Sequence, residues 1–373
     1  GPGAVADLAS SAYKYAGFPN WSAKLQEIFP FDAFGVANPG VILQEDFEYP
    51  EETRVASVLH AVPKTAKGPR LIAAEPMSNQ WCQQLVLKWL VEQMSRLFGD
   101  SFVTIKNQTP SRTMATSASM VGELATVDLS SASDRLSCWA IERMLRKNQP
   151  LLDVFHAVRT ESVYIPYKGF DCVLPLRKFS TQGSALTFPV QSMFFLCCAL
   201  ACDEQTRSIK GYVAKHKASV RVFGDDIIIP NAWYADLFDL LEYLGLKVNP
   251  EKSFFSGLFR ESCGMDAFAG ANVTPIKPKS LQGDGPTAIT SLIDTCNNFW
   301  LSGLWHASRA VESMIPAWVT KLLPLGLREL AVENIVVGSP ALASFCGYSV
   351  RHLRSRMSCH LHRPEVRTLR VKS

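Results

Sequence analysis

No stretch of this 373-residue chain reaches the roughly 18 consecutive apolar residues of a membrane-spanning helix. The longest apolar run, Met193–Cys202, is ten residues, which suits a buried helix. No Cys-x-x-Cys pair occurs among the ten cysteines, at 82, 138, 172, 197, 198, 202, 263, 296, 346 and 359. This argues against zinc and for free, buried thiols in a reducing compartment. Cys359-His360-Leu361-His362 has metal-ligand chemistry but no second cysteine pair to complete a site. There is no internal repeat and no low-complexity linker, and the length and composition rule out a disulfide mini-scaffold, a collagen-like rod and a low-complexity tail. Charged residues make up only 19% against 47% hydrophobic, which excludes a disordered chain. Gly1-Pro2-Gly3 is neither basic nor followed by the apolar segment of a signal peptide, and with no initiator Met the chain is expected to be a fragment or a processed product.

What is present is a chain long enough for two to three domains at roughly 150 residues each. Its net charge is +4, from 38 basic and 34 acidic residues. The last 23 residues carry Arg351, Arg354, Arg356, Arg363, Arg367, Arg370 and Lys372 against Glu365 alone, so the tail is +6 and the remainder −2. Such a segment can track a phosphate backbone, or it can be a solvated chain end. The hydrophobic pattern predicts helices over 79–97, 132–147, 187–202 and 233–244, the last ended by Gly245. It predicts a strand over 123–129, a hairpin within 163–176, strand-turn-strand over 219–230, short strands over 247–268, and a mostly helical remainder. Strands and helices mix without a βαβ period, so the class is α+β.

The most informative segment is Ser219-Val-Arg-Val-Phe-Gly-Asp-Asp-Ile-Ile-Ile-Pro230. Gly-Asp is a favoured hairpin turn, but adjacent carboxylates repel unless a cation neutralises them. A plain surface hairpin with a spare acid is the alternative. Asp128 interrupts a buried-looking strand and needs a partner. Ser131-x-x-Asp134 reads as a capping box, which would explain Asp134 structurally. Two acid-bearing strand ends can converge in one sheet, and Mg²⁺ takes one or two carboxylates plus substrate phosphates. Two ions about 3.5–4 Å apart can serve both oxygens of a phosphoryl transfer. Asp128 and Asp225 are then the bridging pair and Asp226 an outer or alternate ligand; Mn²⁺ is expected to substitute for Mg²⁺.

Lys64, Lys67 and Arg70 recur every third residue in a Pro- and Gly-containing segment, so they belong to a loop or extended arm that can neutralise a triphosphate. Gly183, Ser184 and Ala185 let backbone approach a ligand closely before an apolar helix. Thr187 and Gln191, four apart on that helix, need polar partners, either a ribose or a neighbouring strand. Only small residues separate Asp128 from Asp134, leaving room for a ribose 2′-hydroxyl, with Ser133 and Asp134 as its candidate contacts. Lys252, in Val248-Asn-Pro-Glu-Lys-Ser-Phe254, is a candidate general acid for departing pyrophosphate, or a turn lysine.

These segments, in this order, resemble viral RNA-dependent RNA polymerases, most closely the replicase catalytic subunits of single-stranded RNA phages, the leviviruses of the Q-beta type. Val62-Pro-Lys-x-x-Lys-x-x-Arg70 through Glu75-Pro76 resembles motif F, and Ala125-Thr-Val-Asp-Leu-Ser-Ser-Ala-Ser-Asp134 motif A. Residues 180–192 resemble motif B, Phe223-Gly-Asp-Asp-Ile-Ile228 motif C, residues 247–255 motif D, and Phe259-Arg-Glu-Ser-Cys-Gly264 the palm-to-thumb segment. The resemblance implies a right-hand fold: fingers over 1–122, a palm over 123–270 with 150–180 as a fingers insertion, and a thumb with a basic tail over 271–373. It implies an antiparallel palm sheet with helices on one face and Asp128, Asp225 and Asp226 as metal ligands. It further implies RNA-directed RNA synthesis from ribonucleoside triphosphates on a single-stranded RNA template, in the cytoplasm of a bacterial host cell and without a membrane. Host elongation factors Tu and Ts and a ribosomal RNA-binding protein are the partners it implies. A reverse transcriptase and an RNA-binding protein with an inactive polymerase fold are the alternatives.

Overall fold

The computed structural model describes residues 4–7, 17–36, 39–43, 47–65, 68–278, 285–322, 325–332, 335–342, 355–357 and 364–366. The chain divides into two compact units, residues 1–274 and 275–373.

In chain order the first unit holds helices α1 (Ala23–Ile28) and α2 (Phe31–Phe34), strands β1 (Ser57–Thr65) and β2 (Gly68–Ala74), and helices α3 (Met77–Phe98) and α4 (Thr109–Val121). Strand β3 (Leu124–Val127) is followed by α5 (Ala132–Arg135), α6 (Cys138–Leu145) and α7 (Gln149–Val158). Next come β4 (Ser162–Ile165), β5 (Cys172–Pro175), α8 (Thr187–Ala201), α9 (Ile209–His216), β6 (Arg221–Phe223), β7 (Asp226–Pro230) and α10 (Tyr234–Tyr243). The unit closes with β8 (Phe259–Ser262), β9 (Met265–Phe268) and β10 (Ala271–Asn272). The α+β class read from the sequence is the one observed.

The central sheet has the order β3-β7-β6 and is antiparallel throughout. Isolated bridges extend it at both edges: Val103 pairs with Val222, while Phe254 and Val248 pair with Thr126 and Leu129. Strand alternation assigns the faces. Ala125, Val127, Ile227, Ile229 and Val222 enter the main core together with Phe194, Phe195 and Val190 of α8. Full burial of each such aliphatic side chain is worth roughly 1.5–3 kcal/mol. Thr126, Ile228 and Arg221 are register partners on the other face. There α4 packs, and its Ser111 Oγ accepts a bond from Arg221 Nε at 3.2 Å. Helices therefore cover both faces of this sheet, not one as the resemblance implied: the α4 face is lined by small side chains, Ala115, Ala118 and Ser119, which let a second helix sit against the strands.

A second sheet, β2-β1-β4-β5, joins distant segments. β1 and β2 form an antiparallel hairpin, and β1 runs parallel to β4 through Ser57↔Val163. The basic segment is thus an extended two-stranded arm, and the predicted 163–176 hairpin is its neighbour.

The helix predicted over 132–147 is two helices. Residues 136–138 turn aside to pair with 177–179, with Cys138 N–H on the Arg177 carbonyl and Phe179 N–H on the Leu136 carbonyl. Ser137 then caps α6 by accepting from Ala140 N–H.

The second unit contains α11 (Pro286–Leu301), α12 (Trp305–Glu312) and α13 (Ala317–Leu322), packed around Leu292, Ile293, Cys296, Val311 and Val319. Beyond them the expected mostly helical remainder gives way to antiparallel strands β11 (Leu325–Val332) with β12 (Ile335–Leu342), and β13 (Ser355–Met357) with β14 (Pro364–Val366). Val332, Ile335, Val336 and Val337 suit strands better than helix. Of the tail cations, Arg356 lies in β13; Arg351, Arg354, Arg363, Arg367, Arg370, Lys372 and the Cys359–His362 segment lie outside the described residues. Among the described residues no helix is long and apolar enough to cross a membrane. The described cysteines are free thiols; Cys82, Cys198, Cys263 and Cys296 are buried as expected, whereas Cys172 and Cys197 are exposed.

Candidate active site

The site is built on the ends of β3 and β7. Their last register pair before the hairpin turn is Val127↔Ile227, so the next residues, Asp128 and Asp226, stand side by side. The β6–β7 turn closes with Phe223↔Asp226, leaving Gly224 and Asp225 at its tip. Gly224 has φ +66, the sign a primed hairpin turn requires at its first central residue. A Cβ there would also lie 2.6 Å from the Phe188 ring, so space and backbone both demand glycine. Ser192 of α8 pins the turn: its Oγ accepts from Gly224 N–H at 2.9 Å. The sequence thus brings the three predicted aspartates to one end of one sheet.

Their charges interact. Burial pushes the Asp226 carboxyl up to about 7, with Asp225 and Asp128 adding repulsion and a bond from the Cys263 N–H opposing it. Asp128 is likewise raised, by burial first and then by Asp225 and Glu261, against the pull of Lys252 and a bond from Asn249. Asn249 Nδ2 donates to Asp128 Oδ2 at 3.1 Å. Among the described residues no three His, Cys, Asp or Glu side chains converge tightly enough to hold an ion as they stand. The donor chemistry nonetheless fits a hard divalent cation: carboxylate oxygens, partly buried, whose mutual repulsion a cation would relieve.

Lys252 faces this cluster. Burial alone would lower its pKa, but Asp128, Glu261 and Asp226 more than offset this and raise it. Its Nζ lies 3.7 Å from Glu261 Oε1.

The remaining predicted residues are distributed as follows. Arg70 is exposed on β2, opposite Val62. Lys64 lies on β1, and Lys67 lies outside the described residues. Ser133 is buried and its Oγ accepts from Gln182 Nε2 at 3.0 Å. Asp134 does not form the expected capping box: Ser131 sits at φ +54, with no side-chain cap bond, because the chain must turn sharply out of β3. Asp134 instead pairs with Lys178 and is half exposed. Gly183 is required by contact, since a Cβ would fall 1.7 Å from the Ala73 carbonyl oxygen. Ser184 Oγ accepts from Leu186 N–H inside its own loop. Thr187 Oγ1 is engaged by Ser180 and the Thr181 carbonyl at 2.7 and 2.6 Å. Gln191 is buried beneath the Gly224 turn, and its Oε1 has no hydrogen-bond partner among the described residues.

Three residues at the site carried no assignment from sequence. Asn249 and Glu261 lie in segments whose patterns pointed to other residues, and their link to Asp128 spans more than a hundred positions. Cys263 sits at φ +52 beside Gly264 at +70 in the β8–β9 turn, which aims its N–H at Asp226. Ser262↔Met265 flanking a two-residue turn with Gly264 was the one local signal available.

Comparison with known proteins locates this site in a matched region. The family described as RNA replicase, beta-chain, matches residues 42–298. The RNA-directed RNA polymerase subunit beta of Qbeta virus (strain MX1) is 35% identical over 214 residues, 57% of this chain and 34% of that protein. The subunit beta of Enterobacteria phage SP is 33% identical over 295 residues, 78% of this chain and 48% of that protein. The chain therefore spans half or less of the length of these curated relatives. A solved RNA-dependent RNA polymerase of a human picorbirnavirus, an insertion-loop deletion mutant, superposes with a TM-score of 0.47 at 13% identity, covering 71% of this chain and 60% of that one.

Proposed function

Because the chain belongs to the RNA replicase beta-chain family, we propose that it is the catalytic part of a template-directed RNA polymerase of a single-stranded RNA phage. The observation that carries this reading is the adjacency of Asp128 and Asp226 across β3 and β7, with Asp225 at the turn between β6 and β7.

On this reading Asp128, Asp225 and Asp226 hold two Mg²⁺ ions. When bound, the ions supply charge neutralisation at the α-phosphate and favour ionisation of the attacking hydroxyl. The chain's own residues position the reactants. The 3′-hydroxyl of the growing strand loses its proton to solvent water, its oxygen forms a bond to the α-phosphorus of a ribonucleoside triphosphate, and the bond from that phosphorus to the bridging β-phosphate oxygen breaks, releasing pyrophosphate. Lys252, kept protonated by its acidic neighbours, gives its proton to the departing pyrophosphate. The β1–β2 arm with Lys64, Lys67 and Arg70 neutralises the triphosphate, and the 180–187 loop with Ser133 and Gln191 faces the ribose. Fingers (1–122, with the 150–180 insertion), palm (123–270) and thumb (271–373) are the corresponding domains; pairing of β1 with β4 supports grouping the insertion with the fingers. A single-stranded RNA template, host elongation factors Tu and Ts and a ribosomal RNA-binding protein complete the reading, in the cytoplasm of the bacterial host.

The test is Asp225→Asn, which preserves the turn's shape while removing its charge. Mg²⁺-dependent ribonucleotide incorporation on an RNA template should fall at least about a hundredfold. Undiminished incorporation rejects the metal-ligand assignment.

A further inference from the structure

Glu75 follows β2 and precedes α3, and it is 1% exposed. Its carboxylate accepts from three neutral donors on three segments: Thr181 Oγ1 at 2.9 Å, Gln83 Nε2 at 3.0 Å, and Thr160 Oγ1. Among the described residues no cation bonds to it: the neighbouring Lys24 ammonium is engaged by the His156 and Arg159 carbonyls and by Glu161. Burying a carboxylate without a cation is costly, and burial raises its pKa. An apolar side chain would fill the space at lower cost. What an acid offers here is two oxygens able to accept several donors at fixed angles.

The donors lead to the 180–187 loop. Thr181 is held directly. Gln83 Oε1 accepts from Ala185 N–H at 3.1 Å, so the same network grips the loop four residues further on. Between these points Ala73 N–H bonds the Gln182 carbonyl at 2.9 Å and Gly183 lies against the Ala73 carbonyl. Gln182 Nε2 then reaches Ser133, five residues beyond Asp128.

We propose that Glu75 is a positioning residue that fixes the 180–187 loop against the base of the basic arm and thereby sets how strictly the site selects ribonucleotides over deoxyribonucleotides. The inference rests on the reading of that loop as the ribose side of the site. Glu75 touches no substrate; it acts through Thr181 and Gln83.

The experiment compares Glu75→Gln, Thr181→Val, Thr160→Val and Ser133→Ala in the full chain. It measures the ratio of ribonucleotide to 2′-deoxyribonucleotide kcat/KM on one template, the melting temperature, and hydrogen exchange of amides 180–187 without nucleotide. Glu75→Gln and Thr181→Val should each lower the ratio about tenfold and speed exchange at Ala185, because the loop has lost its anchor. Thr160→Val, which removes a donor that does not belong to the loop, should lower the melting temperature with the ratio intact. Parallel losses of stability in Glu75→Gln, Thr181→Val and Thr160→Val, with ratio and exchange unchanged, reduce Glu75 to a packing role and overturn the proposal. Should Glu75→Gln fail to fold, Thr181→Val leaves Glu75 two of its three donors and decides alone. An unchanged ratio in Ser133→Ala together with faster exchange in the Glu75 and Thr181 variants overturns the ribose reading and with it the selectivity claim. Unchanged exchange overturns the positioning claim whatever the incorporation assays give.

Discussion

Asn249 holds Asp128 twice: its backbone N–H donates to the Asp128 carbonyl at 2.9 Å, and its side-chain Nδ2 donates to the carboxylate at 3.1 Å. Ser253 adds a third tie, its Oγ accepting from Asp128 N–H at 3.2 Å. The 247–254 segment therefore determines both where the strand end lies and which way the acid points. Asn249→Ala keeps the backbone tie and removes the side-chain one. Loss of one hydrogen bond to a charged group, about 1.5–3 kcal/mol, should reduce incorporation roughly tenfold or more and raise the Mg²⁺ concentration needed for half-maximal rate. A titration of rate against Mg²⁺ checks this; an unaltered midpoint and rate would mean the bond is incidental.

Asp226 makes the metal-free protein sensitive to pH. Its folded pKa of about 7 lies above the roughly 3.9 of an unfolded aspartate. Below pH ~4 both states are protonated and nothing is lost. As pH rises from ~4 to ~7 the unfolded chain ionises first, so stability falls and then levels off. Asp226→Asn should therefore melt higher than the parent at pH 8 in chelator, by about 2–4 °C for each kcal/mol relieved, with the gain vanishing near pH 4. Thermal melts across that range give the answer, and a gain independent of pH contradicts the assignment.

The same repulsion predicts stabilisation by divalent cations. Mg²⁺ or Mn²⁺ at a hundred times its dissociation constant adds about 2.7 kcal/mol if it binds only the folded state. The melting temperature at pH 8 should rise with either ion in the parent and much less in Asp225→Asn. Equal rises in both proteins would place the ion elsewhere.

Gly224→Ala combines a left-handed backbone with a 2.6 Å clash on Phe188, whereas at Gly169, with φ +91, an added methyl would meet nothing within 4 Å. Gly169→Ala should cost about 1 kcal/mol for its backbone alone. Gly224→Ala should cost more, about 2–4 kcal/mol, and abolish incorporation because the turn carries Asp225. Urea unfolding of the two variants separates strain from collision; equal losses would show that the Phe188 contact yields freely.

The aspartates were legible because each sits in a short segment whose local grammar is complete: apolar strand, small or glycine turn, acid. Strand pairing then needed only antiparallel register to join them. The helix break at residues 136–137 was not legible from periodicity, since its cause is pairing with 177–179, forty residues away. Ser137 as a second N-cap was the available clue. The capping box expected of Ser131 and Asp134 does not form because Ser-x-x-Asp spacing is local, while Ser131's positive φ and the Lys178 partner are tertiary. Asn249, Glu261 and Glu75 escaped assignment for the same reason: their roles are fixed by partners that no spacing rule connects to them.

The parallel pairing of β1 with β4 has a consequence for biosynthesis. Ser57 cannot meet Val163 until more than a hundred further residues have left the ribosome. At about 5–20 residues per second that edge of the nascent hairpin stands open for roughly 5–20 s. During that interval the unpaired edge of β1 is a template for pairing with another chain.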